Sequence, residues 1–363
     1  MKIMYLVYSF TTGGTERLLV DICNEMVKRD NEVFLYIVND LYDNKMIELI
    51  DENVTIELQK RSVGEKNLFN TMKKITKFVK ENKIDIVHCN SLNSPELLLL
   101  TKITQPKVKI FYTIHGINQY KTLNKLRVLY RNIICNKIIA ISNSVKSDLI
   151  SNGAIKDKII MIYNGLKTER FKLNDKKINK EQPVIGNISR IDPEIKGQDV
   201  LIDAIIQLKQ KYNNIKCILA GGIATNKEND YEKLIQKIKE NNGEENITFL
   251  GNIDNTPEFL KTMDIFVLPS RYEGFGLSLV EAMSSGIPCV ASNIAGPAEI
   301  IKQEGIGKLF ECGNAKSLAK AIQETIENYE NIKKEATTKS NEIKQKYDIL
   351  ETCNNLLNIY EEG

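Results

Sequence analysis

The sequence predicts an α/β protein with two parallel sheets, each flanked by helices on both faces. Short apolar runs alternate with segments of helical periodicity along nearly the whole chain, which is typical of βαβ units. A polar stretch at residues 169–182 interrupts this alternation, and the same alternation then starts again. With 363 residues, 42% of them hydrophobic, the chain can build two domains that each bury a core.

Six strands are predicted in the first half of the chain, with helices between most of them. The strands are expected at residues 3–8, 33–38, 84–88, 109–114, 137–141 and 159–162. The helices are expected at residues 15–28, 68–80, 96–101, 123–134 and 144–151. Because neighbouring parallel strands need a crossover connection, this order predicts a parallel sheet.

The second half repeats the pattern. Strands are expected at residues 184–189, 216–220, 247–250, 265–268 and 288–291. Helices are expected at residues 200–211, 230–240, 256–261 and 277–284, and helical periodicity continues from residue 315 to residue 363. We therefore predict a first domain at residues 1–168, a linker at 169–182 and a second domain at 183–344. The C-terminal helix, residues ~345–363, is expected to pack back on the first domain.

Composition excludes several classes of protein. No apolar run reaches the ~18 residues that a membrane-spanning helix needs, and the N-terminal apolar run is interpreted as a strand and not as a signal peptide. The seven cysteines are dispersed, without a Cys-x-x-Cys pair, which argues against a zinc cluster and is typical of a reducing cytoplasm. No Asp-x-Asp sequence offers ligands for a metal bound to a diphosphate.

Positive charge is concentrated in the first half of the chain. Residues 1–180 contain 30 Lys and Arg against 19 Asp and Glu, a net of +11, and the remainder contains 20 against 28, a net of −8. Residues 60–137 alone contain 16 basic and 4 acidic residues, a net of +12. Such segregation indicates a surface that faces a polyanion, such as anionic lipid headgroups, a diphosphate-linked molecule or nucleic acid. The alternative is a lysine-rich face that contacts only solvent.

The segment from Glu273 to Glu281 is the most informative part of the chain. A predicted strand leads into Gly274-Phe275-Gly276, and a predicted helix follows the glycine loop. Helix N-termini carry unpaired N–H groups and a partial positive charge, which favour a phosphate. The two flanking carboxylates can accept hydrogen bonds from hydroxyls, so the arrangement suits a nucleotide-sugar.

These residues resemble those of glycosyltransferase family 4, the retaining nucleotide-sugar transferases of the GT-B fold. The resemblance covers essentially the whole chain and rests first on the Glu-x7-Glu motif, Glu273 to Glu281. The other matching segments follow in the expected order: Gly13-Gly14, His115-Gly116, Asn164-Gly165, Ser189-Arg190 with Lys196-Gly197, Leu219-Ala220-Gly221-Gly222, and Ala295-Gly296-Pro297-Ala298-Glu299. The resemblance implies two Rossmann-like domains that face a central cleft.

The resemblance also implies roles for the catalytic residues. Arg190 and Lys196 would hold the donor phosphates and stabilise the leaving diphosphate, so neither a metal nor a cofactor is expected. Glu273 would contact the donor sugar near the reacting centre, and His115 would contact the same sugar near its C6 hydroxyl. The loop between Arg190 and Lys196 carries two acids, Asp192 and Glu194, that the family often lacks.

The remaining predicted contacts surround the donor nucleotide. Glu281 would bind the ribose, and Asn252 and Ile253 belong to a loop that resembles the one bracketing the base. The glycine loop and the start of the following helix would bind phosphate, through Gly274, Phe275, Gly276, Leu277 and Ser278. Gly13 and Gly14 form the acceptor-side loop, and Gly14 also lies beside the donor phosphates. His88 is interpreted as a packing residue at the end of a strand.

The reaction implied is transfer of a sugar, from a UDP-hexose or a UDP-N-acetylhexosamine, to a hydroxyl of a saccharide acceptor with retention. Residues 118–137 place Leu123, Leu126, Leu129, Tyr130 and Ile133 on one helix face, beside Lys121, Lys125, Arg127, Arg131 and Lys137. This pattern, with the charge of residues 60–137, predicts a cytoplasmic enzyme at the inner face of the membrane that acts on a lipid-linked saccharide of a surface polysaccharide.

Three alternatives stay open. The apolar face of residues 118–137 could simply pack on the sheet of the first domain. A nucleotide-sugar 2-epimerase shares the two-domain architecture and needs no acceptor, although the Glu-x7-Glu motif with Arg190 and Lys196 argues against it. A non-catalytic, transferase-like partner subunit is the third possibility. A nucleic-acid partner is not expected.

Overall fold

The computed structural model describes residues 1–362, and these divide into two compact units. The first unit joins Met1–Leu166 with the C-terminal segment that begins at Asp348, and the second unit is Lys167–Tyr347. The predicted linker, residues 169–182, belongs to the second unit. Asn174 explains why: it is buried, and its amide donates to the carbonyls of Leu260 and Met263 at 3.3 and 3.0 Å.

A seven-stranded parallel sheet forms the centre of the first unit, in the order β3-β2-β1-β4-β5-β6-β7. The strands are β1 (Lys2–Val7), β2 (Glu32–Asn39), β3 (Thr55–Arg61), β4 (Ile86–Cys89), β5 (Lys109–Ile114), β6 (Lys137–Ala140) and β7 (Ile159–Met161). Strands β1, β2, β4 and β5 are almost wholly buried, because helices cover both faces of the sheet. The predicted parallel α/β architecture is confirmed.

Helices connect these strands. They are α1 (Gly14–Lys28), α2 (Asn44–Ile47), α3 (Leu68–Glu81), α4 (Leu99–Thr104), α5 (Lys125–Ile134) and α6 (Asn143–Ser151), with 3-10 turns at Pro95–Leu98, Tyr120–Thr122 and Lys156–Lys158. Strand β3 and helix α2 were not predicted. Strand β3 lies at the edge of the sheet and is half-exposed along most of its length, so it lacks the continuous apolar run of the central strands.

The chain returns to the first unit through its last helix, α15 (Ile349–Glu362), which packs against α1. Thr352 donates a hydrogen bond to the carbonyl of Tyr163 at 2.9 Å. The ammonium of Lys109 donates to the carbonyl of Tyr360 at 3.0 Å, and the Tyr360 hydroxyl is bonded to the buried imidazole of His88. The C-terminal helix is therefore part of the core of this unit.

The second unit contains a six-stranded parallel sheet in the order β10-β9-β8-β11-β12-β13. The strands are β8 (Val184–Ile188), β9 (Lys216–Ala220), β10 (Ile247–Gly251), β11 (Ile265–Leu268), β12 (Cys289–Ser292) and β13 (Lys308–Phe310). The first strand in sequence, β8, lies in the middle, and the chain leaves it on one side through β9 and on the other through β11. Strands β8 and β11 thus flank a topological switch point, where open α/β sheets bind their ligands.

Eight α-helices and one 3-10 turn lie in the second unit, within the described residues 167–347. The helices are α7 (Pro193–Lys196), α8 (Gln198–Leu208), α9 (Glu228–Glu240), α10 (Thr256–Leu260), α11 (Leu277–Ser284), α12 (Ala295–Glu304), α13 (Ala315–Glu327) and α14 (Tyr329–Lys346), and the 3-10 turn is Thr168–Arg170. The sequence predicted one helical segment from residue 315 onward. The structure breaks it at Asn328 and again after Lys346 into α13, α14 and α15. Helices α7 and α12 were not predicted, because their starts at Pro193 and Ala295 follow loops without an apolar period.

No helix within residues 1–362 combines the length and the apolar character that crossing a bilayer requires.

Candidate active site

Two predicted catalytic residues meet at the switch point of the second sheet. Lys196 ends the short helix α7 after β8, and Glu273 lies in the loop after β11. The Lys196 Nζ is 2.7 Å from Glu273 Oε2, and each side chain is about one-fifth exposed, at 21% and 20%. Because strands β8 and β11 are neighbours, their carboxyl ends deliver both loops to the same place.

The backbones of these two loops are joined directly. Ile195 of α7 accepts hydrogen bonds from the amides of Arg271 and Tyr272, at 2.8 and 3.2 Å. Gly197 adopts a left-handed conformation, with φ of +68°, and a Cβ at this position would lie 2.1 Å from the carbonyl oxygen of Pro269. Only glycine allows both this conformation and this approach. The Lys-Gly pair of the motif therefore has a structural reason as well as a chemical one.

Arg271 reinforces the junction, and no feature of the sequence singled it out. Its guanidinium donates to both carboxylate oxygens of Asp199, each at 2.7 Å, and to the carbonyl of Pro193 at 2.6 Å. The hydrogen bonds with Asp199 raise the pKa of Arg271 above its ordinary value, so the group stays charged. Such forked pairs fix orientation as well as distance. A pairing of residues 72 positions apart gives no signal in a single sequence.

The backbone that carries Arg190 is held by buried amides. Gln198 is fully buried and donates to the hydroxyl of Ser189 at 2.9 Å and to the carbonyl of Arg190 at 2.7 Å. Asn187, also fully buried, accepts from Ser189 at 2.9 Å and donates to the carbonyl of Val267 on β11. The guanidinium of Arg190 itself is exposed, and among residues 1–362 no carboxylate forms an ion pair with it. It is free to bind an anion.

The two acids between Arg190 and Lys196, which are Asp192 and Glu194, pair with Lys227 and not with Lys196. Lys227 Nζ is 2.5 Å from Glu194 and 3.8 Å from Asp192, and it also bonds Asp230 at 3.1 Å. These hydrogen bonds, with Glu194 first, raise the pKa of Lys227 above its ordinary value. Both acids are therefore neutralised away from Lys196, which keeps Glu273 as its partner.

The glycine loop leads into α11 as predicted from the motif. Gly276 has a φ of +111° and forms the N-cap of the helix, and the carbonyl of Gly276 accepts the first helical bonds. The helix buries five of its eight residues. The three that it leaves partly exposed are Leu277, Ser278 and Glu281. All three were predicted to contact the donor, and they lie on one face because they are spaced i, i+1 and i+4.

The next helix supports the glycine loop from behind. A Cβ at Gly296 of α12 would lie 2.6 Å from the backbone nitrogen of Phe275 and 2.7 Å from the carbonyl carbon of Gly274. The side chain of Phe275 is buried, and its ring packs edge-on against Tyr347 with 5.7 Å between centroids. Gly274 and Phe275 can thus serve a ligand only through their backbone, which agrees with the predicted role.

Asn252 and Ile253 lie on the loop after β10, at the same edge of the second sheet. The loop is tied to the one after β9, because the amide of Gly221 donates to the carbonyl of Gly251 at 2.7 Å. A Cβ at Gly222 would lie 2.6 Å from the Asn252 side-chain oxygen. Asn252 is exposed and Ile253 is half-buried. The loops after β8, β9, β10 and β11 are therefore connected to one another, and we call the surface that they form the ledge. Every predicted site residue of this unit lies on the ledge or on the adjoining α11.

The predicted acceptor-side loop, Gly13 and Gly14, follows β1 in the first unit. Gly13 is the N-cap of α1 and has a φ of −174°, an extended conformation that any residue can adopt. A Cβ there would meet the flexible carboxylate of Glu16 at 2.5 Å. The preceding Thr12 is anchored by a 2.5 Å hydrogen bond to Asp43. The backbone conformation does not require glycine at position 13, so the close approach of a ligand to this loop stays a prediction.

His115 follows β5 at the same edge of the first sheet, two strands from β1. Its Nε2 is 3.3 Å from the side-chain oxygen of Asn90, and its Nδ1 is buried without a partner. Burial lowers the pKa of His115 to about 4. The imidazole is therefore neutral at physiological pH and acts as a hydrogen-bonding group, not as a cation.

The other histidine has a structural role, as predicted. His88 is buried between the Tyr360 hydroxyl on Nδ1 and the Thr113 hydroxyl, which lies 2.7 Å from Nε2. Desolvation lowers the pKa of His88 to about 3. Both ring nitrogens are occupied, so this side chain joins β4, β5 and α15.

Helix α5 does not turn its apolar face toward the sheet of the first unit, as one of the alternatives required. Leu126, Leu129 and Ile133 are 76%, 55% and 68% exposed, so the apolar face does not pack on the sheet. The inward face instead contains Val128, Arg131, Asn132 and Ile134.

Two basic residues of α5 that were predicted to supply surface charge are instead paired with Glu96. Arg131 is fully buried and donates to both oxygens of Glu96, at 2.7 and 3.0 Å, and Arg127 donates to the same carboxylate at 3.0 Å. The guanidinium of Arg131 also lies 5.2 Å from the centre of the Tyr112 ring. A buried arginine needs such a partner, and this pair turns α5 so that its leucines face outward. Lys121 and Lys125 remain exposed.

The residues of the first unit match the family model described as Glycosyltransferase Family 4 over residues 12–170. Those of the second unit match the model described as Glycosyl transferases group 1 over residues 168–345. The chain is 28% identical over 310 residues to CapH, a capsular polysaccharide biosynthesis glycosyltransferase of Staphylococcus aureus, and the match covers 83% of both proteins. It is 27% identical over 315 residues to WclY, an O-antigen biosynthesis glycosyltransferase of Escherichia coli, covering 81% of this chain and 80% of WclY.

Solved structures show the same fold. Alr3699/HepE of Anabaena, crystallised with UDP-glucose, superposes with a TM-score of 0.86 over 100% of both chains, at 22% identity. A glycosyltransferase of Rickettsia africae superposes with a TM-score of 0.85 over 99% of this chain and 98% of that one, also at 22% identity. The predicted GT-B fold class is thereby confirmed. With family models matched over residues 12–170 and 168–345, this chain belongs to the family 4, group 1 glycosyltransferases.

Proposed function

We propose that this glycosyltransferase moves a hexose or an N-acetylhexosamine from its UDP derivative to a hydroxyl of a saccharide acceptor, with retention at the anomeric carbon. The observation that carries the proposal is the Lys196–Glu273 pair at the switch point of the second sheet, 2.7 Å between Nζ and Oε2. One member can bind a diphosphate and the other can bind sugar hydroxyls.

The charges of the ledge suit a nucleotide diphosphate. Arg190 offers an unpaired, exposed guanidinium, and Lys196 offers an ammonium that needs only to exchange one anionic partner for another. Helix α11 adds the N–H groups of its first turn and the positive end of its dipole. These groups can offset the charge that develops on the leaving phosphate, so the proposal includes no metal ion.

The sugar and the nucleoside extend in opposite directions from the phosphates. Glu281 lies one turn along α11 from Leu277 and is assigned to the ribose hydroxyls, with Asn252 and Ile253 at the base. Glu273 is assigned to the hydroxyls of the transferred sugar. His115 of the first unit is assigned to a ligand hydroxyl as a neutral hydrogen-bonding group, because burial lowers its pKa to about 4.

The reaction follows from these assignments. The acceptor hydroxyl oxygen forms a bond to the anomeric carbon on the face from which the diphosphate departs, and the bond between that carbon and the phosphate oxygen breaks. The proton of the acceptor hydroxyl passes to an oxygen of the leaving UDP. Catalysis then depends on positioning and on charge stabilisation by Arg190, Lys196 and α11, effects that contribute several kcal/mol in other enzymes.

The relatives support the choice of pathway and donor. CapH and WclY are named for capsular polysaccharide and O-antigen biosynthesis, and HepE was crystallised with UDP-glucose. We assign this chain to the synthesis of a cell-surface polysaccharide, with a UDP-sugar as donor.

The surface of the first unit supports a lipid-linked acceptor. The exposed apolar patch of Leu126, Leu129 and Ile133 lies on α5, within the segment of residues 60–137 whose net charge is +12, from 16 basic and 4 acidic residues. Lys121 and Lys125 flank the patch and are exposed. Apolar side chains ringed by cations fit the interface of an anionic bilayer. We assign this patch to a peripheral contact with the inner face of the membrane.

A screen of nucleotide-sugars tests the catalytic proposal. Purified protein is incubated with UDP-, GDP- and ADP-sugars, and binding is followed by thermal shift while hydrolysis is followed by release of the nucleotide, with and without EDTA. A UDP-sugar should stabilise the protein and be hydrolysed slowly, and EDTA should not change the rate. Retention is read from the NMR coupling constant of the anomeric proton in the product. Conversion of the donor into its C2 epimer without transfer, or inertness toward every donor, would refute the proposal.

Flotation with liposomes tests the membrane contact. The protein should float with vesicles that contain about 30% phosphatidylglycerol and remain at the bottom with pure phosphatidylcholine, and ~0.5 M salt should weaken the association. The variant Leu126→Asn/Ile133→Asn should lose binding. Leu250→Asn, which changes a leucine that is 49% exposed in the second unit, is the matched control. Equal flotation of wild type and the double variant would exclude the assigned patch.

A further inference from the structure

We propose that Arg271 is a positioning residue: its forked bond to Asp199 fixes the α7 loop so that Lys196 meets the donor diphosphate beside Glu273. The inference rests on the proposed function, because it gives a task to a residue that touches neither substrate. Arg271 and Asp199 would thus belong to the active site together with the Glu273 to Glu281 motif, although neither takes part in the reaction.

The first step of the argument is that α7 cannot hold its own position. It contains four residues, Pro193–Lys196, and a helix this short is unstable without outside support. It begins after Asp192 and ends at Gly197, which has a φ of +68°. The place of the Lys196 ammonium must therefore be set by contacts with other segments.

The second step is that Arg271 provides most of these contacts. Its guanidinium reaches the carbonyl of Pro193 at the start of α7 at 2.6 Å, and its own amide donates to the carbonyl of Ile195 at 2.8 Å. Its two terminal nitrogens reach both oxygens of Asp199, on the first turn of α8, at 2.7 Å each. Arg271, in the loop after β11, therefore bonds to α7 on the N-terminal side of Lys196 and to α8 on its C-terminal side.

The third step is that Arg271 is not available to the ligand. Both of its terminal nitrogens are engaged with the protein, and the geometry matches the planar fork that only arginine offers to a carboxylate. Glu273 lies two residues further on in the same loop. The same bonds therefore fix both halves of the Lys196–Glu273 pair relative to each other, which is what a precise active site requires.

Variants of the pair separate positioning from binding. Asp199→Asn keeps the size of the side chain, Arg271→Gln keeps a neutral amide donor on a shorter side chain, and both remove the charged fork. Each should lower kcat about 10- to 100-fold, because small misplacements of catalytic groups have effects of this size. The Kd of UDP, measured by calorimetry, should rise by less than the loss of kcat and by less than the roughly tenfold expected when Lys196 itself is removed, since Lys196 is displaced but kept and Arg190, Glu281 and α11 are untouched. The double variant should be no slower than Arg271→Gln alone, because that variant already removes the bond with Asp199 together with the bond to the Pro193 carbonyl.

Two further variants complete the experiment. Arg271→Lys should recover only part of kcat, because an ammonium cannot occupy both carboxylate oxygens and the Pro193 carbonyl at once. Asp203→Asn is the matched control: it removes an ion pair with Lys237, 2.8 Å from both oxygens, one turn further along α8 and away from α7. Its kcat should equal that of the wild type.

The outcomes distinguish the inference from the function on which it rests. If the wild-type protein neither transfers nor hydrolyses any nucleotide-sugar, the proposed function is wrong. If the wild type is active and folded Arg271→Gln keeps its full kcat, only the inference is wrong. A loss of UDP affinity as large as the loss of kcat would also overturn it, because Arg271 would then contact the ligand. A lower melting temperature with unchanged kcat would assign the pair to stability alone.

Discussion

Lys196 and Glu273, 77 residues apart in the chain, form a hydrogen-bonded ion pair of 2.7 Å at the ends of adjacent parallel strands. Each residue was predicted to contact a different part of the donor, and the structure shows that the two side chains contact each other. Under the proposed assignments, donor binding exchanges this ion pair for two new contacts: phosphate on Lys196, and sugar hydroxyls on Glu273.

This exchange predicts opposite effects of two alanine variants on nucleotide affinity. Glu273→Ala should reduce kcat at least ~100-fold while leaving the Kd of UDP unchanged or slightly lower, because Lys196 is released from its internal partner. Lys196→Ala should weaken UDP binding about tenfold as well as slowing turnover. Calorimetry with UDP and initial rates with the UDP-sugar measure both quantities. Weaker UDP binding by Glu273→Ala would contradict the exchange.

The acids of the α7 loop predict a role for a lysine outside the motif. Lys227 neutralises Glu194 and Asp192, with contacts of 2.5 and 3.8 Å. Replacing it with alanine should leave two uncompensated carboxylates in the loop that binds the diphosphate, and the KM for the donor should rise about 3- to 10-fold at low salt. Lys211→Ala, which breaks an exposed 2.6 Å pair with Glu327 in the same unit, is the control. An unchanged donor KM in Lys227→Ala would refute the prediction.

Gly296 predicts a steric effect on the glycine loop. An alanine Cβ would lie 2.6 Å from the Phe275 nitrogen and 2.7 Å from the Gly274 carbonyl carbon, and both are backbone atoms that cannot rotate away. Gly296→Ala should therefore displace the loop and reduce kcat/KM at least ~10-fold. Gly243→Ala, where the nearest atom is 3.3 Å away, should have a much smaller effect. Steady-state kinetics measures kcat/KM of both variants, and equal losses in Gly296→Ala and Gly243→Ala would contradict the prediction.

The buried His88 predicts that the first unit loses stability in acid. Burial lowers the pKa of His88 from 6.5 to about 3, so the folded protein keeps it neutral where the unfolded chain takes up a proton. This contribution to stability is complete above pH 6.5 and is lost as the pH falls below it, by at most about 1.4 kcal/mol per pH unit. Melting temperatures measured from pH 7 to pH 5 should fall, and they should fall less in His88→Gln. Equal slopes for both proteins would contradict this assignment.

Sequence periodicity was sufficient for the buried part of the fold, and the sequence motif was sufficient to place the loops of the candidate site. The central strands are continuous apolar runs, so β1, β2, β4 and β5 could be read directly. Strand β3 could not, because an edge strand alternates between partial exposure and contact, and its residues Thr55–Arg61 are largely polar. The Glu273 to Glu281 motif located the loop and helix because glycine conformation and helix capping are local properties.

Properties that depend on contacts between distant segments could not be predicted. The apolar residues of α5 looked equally able to pack inward or to face solvent. The deciding interaction is the buried bond of Arg131 with Glu96, 35 residues away, which no local pattern reveals. The fork of Arg271 with Asp199 is hidden for the same reason. In both cases an arginine that the sequence presents as a surface charge forms an ion pair with a distant segment: Arg131 is fully buried, and Arg271 is half-buried.

The return of the chain to its first unit has a consequence for synthesis. His88 meets Tyr360 across 272 residues, and α15 contributes fully buried side chains to the unit that contains β1. On the ribosome, the second unit emerges in one piece, whereas the first waits for its closing helix until the second unit and then residues 349–362 have been translated. The part of the protein that is translated first should therefore be the part that finishes folding last, and a premature stop in α15 would leave it, and not its neighbour, without a complete core.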